Sequence, residues 1–234
     1  MSLKFTSKRC LVTATCALIM ATFSTFSFAI EPFQATYIAN IKNKIDFKGT
    51  LIRKLTKGKD DQWLFKDNIS SFLASIEESS QLKISGNKIQ PQKYHYLRKV
   101  LGKKKKRDIS FKWSQKTAID RSNNSIALQA DTQDRLSYQL QLQMDLQRGQ
   151  RGKFSYPVVK NSSIDIMKFI EIGTETISTP IGDLKSIKLK LDRGENAKRE
   201  TYIWFSTEHN FVISQLLQIE TDGQSYSIVL NKLS

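Results

Sequence analysis

The chain has 234 residues, 37 Lys and Arg against 22 Asp and Glu for a formal charge of +15, and two cysteines. This length suits one β-rich domain with a sizeable core of its own. The charge speaks to solubility and anionic partners rather than to fold, and with both cysteines confined to Cys10 and Cys16 a disulfide scaffold is excluded for the rest of the chain.

Residues 1–29 have the three parts of a secretory signal peptide. Lys4, Lys8 and Arg9 form a basic start, an uncharged run follows over 10–28, and Ser27, Phe28 and Ala29 supply a small-residue exit. This predicts Sec export to the periplasm with cleavage after Ala29. Thr13, Thr15, Thr22, Ser24, Thr25 and Ser27 weaken the same run as a membrane span of ~20 mainly apolar residues. Thr15 and Thr13 stand where a lipidated Cys16 would need a small and an apolar residue. Cleavage removes three basic and no acidic residues, so the mature region 30–234 keeps a charge of +12 and contains no cysteine. An exported basic protein meets phospholipid head groups, lipopolysaccharide phosphates and cell-wall polymers rather than nucleic acid.

From Pro32 onward the dominant signal is alternation, which sends successive side chains to opposite faces of a sheet. Phe33, Ala35, Tyr37, Ala39 and Ile41 share one face. Further strands are predicted over 47–55, 62–70, 72–84 and 88–101, with turns at Gly58-Lys59-Asp60-Asp61 and Ser85-Gly86-Asn87. Gly102 marks the next reversal. Ile109, Phe111 and Trp113 then alternate inward against Asp108, Ser110 and Lys112, and Asn123-Asn124 closes a hairpin between 117–122 and 125–130. The first half therefore reads as an antiparallel meander of about seven strands.

Arg98, Lys99, Lys103, Lys104, Lys105, Lys106 and Arg107 place seven positive charges in ten residues across the Gly102 reversal. Near anionic lipid each contributes about 1 kcal/mol, enough together for reversible docking. The plainer reading is a solvated hairpin tip whose lysines guard a sheet edge.

Over 131–159 the chain changes character. Leu136, Tyr138, Leu140, Leu142, Met144 and Leu146 alternate with Ser137, Gln139, Gln141, Gln143, Asp145 and Gln147, a strand by period. Composition favours a helix: no residue in 136–147 is β-branched, Gly149 offers a stop, and Asp131 or Asp134 can cap the N-terminus. On a helix the apolar residues form two stripes, Leu136-Leu140-Met144 and Tyr138-Leu142-Leu146, which need cover on both sides. These residues by themselves leave both forms open.

The early PFQATY segment, the DRLSYQLQLQMDL stretch and the later Phe154-Ser155-Tyr156-Pro157-Val158 and Thr179-Pro180-Ile181-Gly182 segments resemble, in that order, the exported bacterial proteins of domain of unknown function 3108. The resemblance implies a β-rich envelope protein with a helix at about 134–147 between two sheet halves, and implies no activity. It departs after Trp204, where Phe205-Ser206-Thr207-Glu208 replaces the Asp-Pro often found there.

After this segment, strands are predicted over 154–159, 163–172, 174–179, 184–191, 199–206, 211–220 and 224–232, with turns at Gly173, Gly182-Asp183, Arg193-Gly194-Glu195, His209-Asn210 and Asp222-Gly223. A sheet of ~13 strands tends to curl or split. The expected fold is mainly β: a curved antiparallel sheet, or incomplete β-barrel, of two meanders around one central helix.

Signs of chemistry are sparse. His95 and His209 lack a second ligand at metal spacing, no Gly-x-Ser-x-Gly elbow or phosphate-cradling glycine loop is present, and Glu77 and Glu78 would face opposite sides of a strand. No catalytic, metal or cofactor residue is assigned. The leading expectation is a non-enzymatic binder of a lipid, amphiphile or other envelope component, with Tyr37, Phe111, Trp113, Leu140 and Met144 as candidate lining of an apolar cavity. A docking protein using exposed sheet edges and an envelope polysaccharide hydrolase are the alternatives.

Overall fold

A computed structural model describes residues 1, 30–42, 47–72 and 74–234. The leader, apart from Met1, lies outside the described residues. Eight strands precede the helix: β1 (Phe33–Lys42), β2 (Phe47–Lys57), β3 (Gln62–Ser70), β4 (Ala74–Ser85), β5 (Lys88–Val100), β6 (Lys103–Lys112), β7 (Thr117–Asp120) and β8 (Ser125–Ala127). Helix α1 spans Ser137–Gln147, and six strands follow it: β9 (Lys153–Lys160), β10 (Ser163–Thr179), β11 (Gly182–Asp192), β12 (Glu200–Ser206), β13 (Ile213–Ile219) and β14 (Ser225–Leu233). Each meander pairs with itself in order, and β1 pairs with β14 to join both halves into one 14-stranded antiparallel sheet with β8 and β9 at its edges. The expected fold class is what the structure has.

Three local readings need correction. The break expected at Gly173 is a bulge inside one long strand: the register against β11 shifts between Glu171 and Gly173. Gly173 takes φ 143, so glycine here lets the chain slip register without ending the ladder. Trp113 does not continue the alternation of β6. It opens a short 3₁₀ turn, Trp113–Gln115, and lies stacked on Phe111 with ring centroids 6.0 Å apart. Phe211 and Val212 belong to the turn before β13, with Asn210 and Phe211 both at positive φ.

The helix shows why period and composition disagree in its sequence. Its two apolar stripes are buried against different halves of the sheet. Leu136, Leu140 and Met144 pack with Phe65, Leu82, Tyr94, Ile109 and Phe111, while Leu142 and Leu146 pack with Tyr37, Phe169, Leu189, Ile203 and Phe205. The glutamines between the stripes tie the helix to the turns at one end of the sheet. Gln141 accepts from the Ile89 N–H at 2.8 Å and donates to the Asn87 carbonyl at 2.8 Å. Gln143 donates to the Asn210 carbonyl at 2.9 Å. A polar side chain satisfied in this way loses little on burial.

Asp134 caps the helix: its Oδ1 accepts the N–H groups of Leu136 and Ser137 at 2.8 and 2.7 Å, and Ser137 Oγ accepts the Asp134 N–H at 2.9 Å. Ser80 on β4 donates to the other carboxylate oxygen, which anchors the cap to the sheet. Just before it, Gln133 bridges to β9, donating to the Pro157 carbonyl at 2.7 Å and accepting the Val159 N–H at 2.9 Å. Ser162 donates to Asp120 at 3.0 Å across the same seam. The two sheet edges thus curl toward one another, and the chain leading into α1 covers the β9 edge.

Replacing Leu140 by Ala should cost about 2–5 kcal/mol by opening a cavity on the buried helix face, whereas Phe72→Ala, at a fully exposed site, should stay within about 0.5 kcal/mol. Urea unfolding of the two variants measures the contrast.

Candidate functional site

The strands alternate turns between two ends of the sheet, and the helix runs from one end to the other. At the end where α1 begins, the inward rungs stop being apolar. On β2 and β3, Arg53 and Asp67 stand opposite one another, in phase with Leu51 and Leu55 and with Phe65. On β4 and β5, Glu78 is opposite Tyr96, in phase with the buried Ser80 and Leu82. Tyr96 is in turn opposite Arg107 of β6.

Arg53 and Asp67 form a buried two-pronged ion pair, Nε to Oδ1 at 2.8 Å and Nη2 to Oδ2 at 2.6 Å. The same guanidinium donates to Gln139 of the helix at 2.9 Å and lies 5.1 Å from the Phe65 ring centre. Burial works against its charge, but the adjacent Asp67 carboxylate outweighs this and holds the arginine protonated well above its usual range. Such a pair offers little net stability over an apolar substitute, yet loss of one partner leaves a bare buried charge. It positions the helix on the sheet.

Glu78 accepts a hydrogen bond of 2.5 Å from the Tyr94 hydroxyl. Burial raises its carboxyl to a pKa of about 7; the Tyr94 bond and Arg135 act to lower it, and the Asp67 and Asp134 charges add to the rise. It also faces Arg53 on β2 and Tyr96 on β5.

Above this polar layer lies a cavity of about 230 Å³ lined from both halves of the sheet. Glu78 belongs to the first meander; Arg135, Tyr138 and Gln139 come from the helix and its approach; Lys160, Asp165, Arg193, Arg199 and Thr201 come from the second meander. Apolar walls are supplied by Val158, Met167, Leu191 and Leu216 together with the Tyr138 and Tyr226 rings. Lys160 is paired with Asp165 at 2.7 Å and Arg199 with Glu220.

The predicted basic residues all fall on the β5–β6 hairpin, on either side of the Leu101-Gly102 turn. Lys99 and Lys103 to Lys106 are exposed, and Arg107 is half-buried with its guanidinium 6.0 Å from the Tyr96 ring centre. Because Arg98 and Arg107 both act on the Tyr96 hydroxyl, as does Arg135, the base of this hairpin adjoins the cavity end of the sheet. The apolar residues go elsewhere. Tyr37, Phe111, Leu140 and Met144 are buried in the two clusters around the helix, and Trp113 packs at the margin of one. None of these five lines the 230 Å³ cavity.

His95 is bonded to Asp108 at 2.6 Å, and His209 sits half-buried in the β12–β13 turn. Among the described residues no group of three His, Cys, Asp or Glu is placed to hold a metal ion. Sequence reasoning missed Glu78, Arg53 and Asp67 as interior groups. The available signal was phase: each is a charged residue in step with the apolar face of its strand.

Since the folded state holds Glu78 above its ordinary value of 4.5, ionising it costs stability that is intact below pH 4.5 and is lost as pH rises to about 7. Glu78→Gln should therefore gain in Tm relative to the wild type at pH 8 and show little gain at pH 4.5, measured by thermal unfolding at both pH values.

Comparison with known proteins agrees with this architecture. The profile of the family described as "Protein of unknown function (DUF3108)" matches residues 38–231. No curated protein matches the chain. Among solved structures, a beta-barrel-like protein of domain of unknown function DUF1849 from Brucella abortus is similar with a TM-score of 0.53 and 10% identity, over 87% of this chain and 97% of that one. At that identity the likeness concerns the fold alone. With one family profile running through β-strands of both meanders and through the helix between them, the chain belongs to the DUF3108 family.

Proposed function

We propose that this is an exported, non-enzymatic protein of the bacterial envelope that docks on anionic lipid head groups through the β5–β6 hairpin. The observation that carries the reading is the pairing inside that hairpin. Arg98 stands directly opposite Lys105 and Lys99 opposite Lys104, and like charges so placed destabilise a hairpin rather than stabilise it. Among the described residues only Lys106 of the seven has an acidic partner, Asp108 at 3.2 Å. An anionic surface would relieve that repulsion.

Leu101 at the tip favours a lipid surface over a soluble polyanion. It is 72% exposed at the turn, flanked on both sides by basic residues, so it can enter the head-group layer while the lysines stay with the phosphates. Because α1 fills most of the concavity and the hollow left at its start is only about 230 Å³, long acyl chains would remain in the membrane and the contact would be peripheral. Docking through open sheet edges has less support, since β8 has three residues and Gln133 occupies β9 at Val158.

Co-sedimentation with phosphatidylglycerol vesicles at low salt tests this. Binding should weaken as salt rises, should be absent with phosphatidylcholine, and should be lost when Lys103 to Arg107 are replaced by Ser; vesicle binding that survives this replacement would sink the reading. Export is tested separately by N-terminal sequencing of protein recovered from the periplasm, which should begin at Ile30.

A further inference from the structure

Arg135 and Arg193 both line the 230 Å³ cavity, and among the described residues neither has a carboxylate partner or donates a side-chain hydrogen bond. The other two basic groups of the lining are already paired, Lys160 with Asp165 and Arg199 with Glu220. Arg135 and Arg193 are both within electrostatic reach of the Tyr138 hydroxyl. Both arginines are exposed, with Glu78 in electrostatic reach of Arg135 and Glu220 in reach of Arg193, and an anion in the hollow would be attracted to both guanidinium groups.

A second and independent observation points to a ligand. Thr201, also on the cavity wall, is 7% exposed, and its hydroxyl oxygen is buried with no hydrogen-bond partner. Buried hydroxyls are nearly always satisfied. Valine would fill the same space on β12 without that loss.

We propose that this cavity binds an oxyanion carried on a short apolar stem, an alkyl carboxylate or alkyl phosphate, with its head held by Arg135 and Arg193 and hydrogen-bonded by Thr201. The planar fork of arginine suits both kinds of head. The stem lies against Met167, Leu216 and the Tyr226 ring, which give the cavity its apolar side. Glu78, also in the lining, is tied to Tyr94, and its raised pKa moderates the repulsion it would otherwise exert near neutrality. At about 30 Å³ per water in the liquid, the cavity holds the equivalent of roughly eight waters, room for a head and a stem of a few carbons but not for a long acyl chain. The site is separate from the exposed tip of the hairpin, so each can fail without the other.

Titration calorimetry of the whole protein with hexanoate, hexyl phosphate, inorganic phosphate and hexanol at pH 7 tests the assignment. One equivalent of at least one hexyl oxyanion should bind, with inorganic phosphate and hexanol each at least tenfold weaker. Arg135→Gln and Arg193→Gln should each weaken binding about tenfold or more, as expected for loss of a charge-assisted hydrogen bond. Thr201→Val should weaken it several-fold while leaving Tm of the free protein unchanged or higher, a combination that a purely structural threonine would not give. Replacing Lys103 to Arg107 by Ser should leave this binding intact even where vesicle binding is lost. Displacement of hexyl phosphate by dihexanoyl phosphatidylglycerol would name a lipid head group as the source of the oxyanion, and failure to displace would name a free one. Absence of saturable binding for both hexyl oxyanions, hexanol binding as tightly as they do, or affinity unchanged in both arginine variants would overturn the proposal.

Discussion

A helix buried on two opposite sides is the constraint on which this fold depends. Most short surface helices bury one stripe and hydrate the other. Here Leu140 and Leu142, on different faces of α1, are both fully buried, which requires the sheet to pass round the helix rather than under it. Fourteen strands provide the reach. The join between β1 and β14 makes the two meanders one continuous wall, so neither half of the core is complete without the other. The connection from β8 into the helix then closes the remaining gap, because Gln133 pairs with the β9 backbone in the last residues before the cap.

This arrangement also decides where charge can be tolerated inside. Along most of its length the helix presents leucines, and glutamines that end on turn carbonyls and an N–H. At its start it presents a cap, Asp134, whose carboxylate is raised by burial although Ser80, Ser137 and Leu136 all donate to it. The Arg53–Asp67 pair and the Glu78–Tyr94 pair lie in the same region. Polar groups buried together in this way can satisfy one another, whereas any one of them alone would carry the full cost of desolvation. The helix stops short of filling this end of the sheet. The hollow that remains has Arg135 and Arg193 in its wall, and the base of the basic hairpin adjoins it. The molecule is therefore asymmetric along the helix axis, with glutamine-tethered turns at one end and concentrated positive charge at the other.

The sequence by itself determined a great deal about this protein. Alternation located nearly every strand, because a side-chain period of two is a local property of an extended chain. The seven-charge run located a hairpin tip, because Gly102 marks the reversal. The leucine stripes stated in advance that a helix here needs cover on both sides, and the family resemblance added the order of the parts. What it left open was whether 136–147 is strand or helix. Tertiary structure decided that through Asp134: a carboxylate anchored by Ser80, more than fifty positions away in the chain, can nucleate a helix that neither period nor propensity settles.

Gly173 shows the same limit on a smaller scale. Glycine at positive φ is read locally as a turn, and only the unbroken pairing of β10 with β11 on both sides makes it a bulge. The interior charges were the least legible feature. Arg53, Asp67 and Glu78 lie in step with apolar residues on their own strands, but the groups that satisfy them come from other elements: Asp67 and Gln139 for Arg53, Tyr94 for Glu78. The hollow itself is lined by residues 78 to 226. A cavity assembled from seven strands and the approach to a helix has no local pattern, since the distances that define it exist only after the sheet has closed around α1.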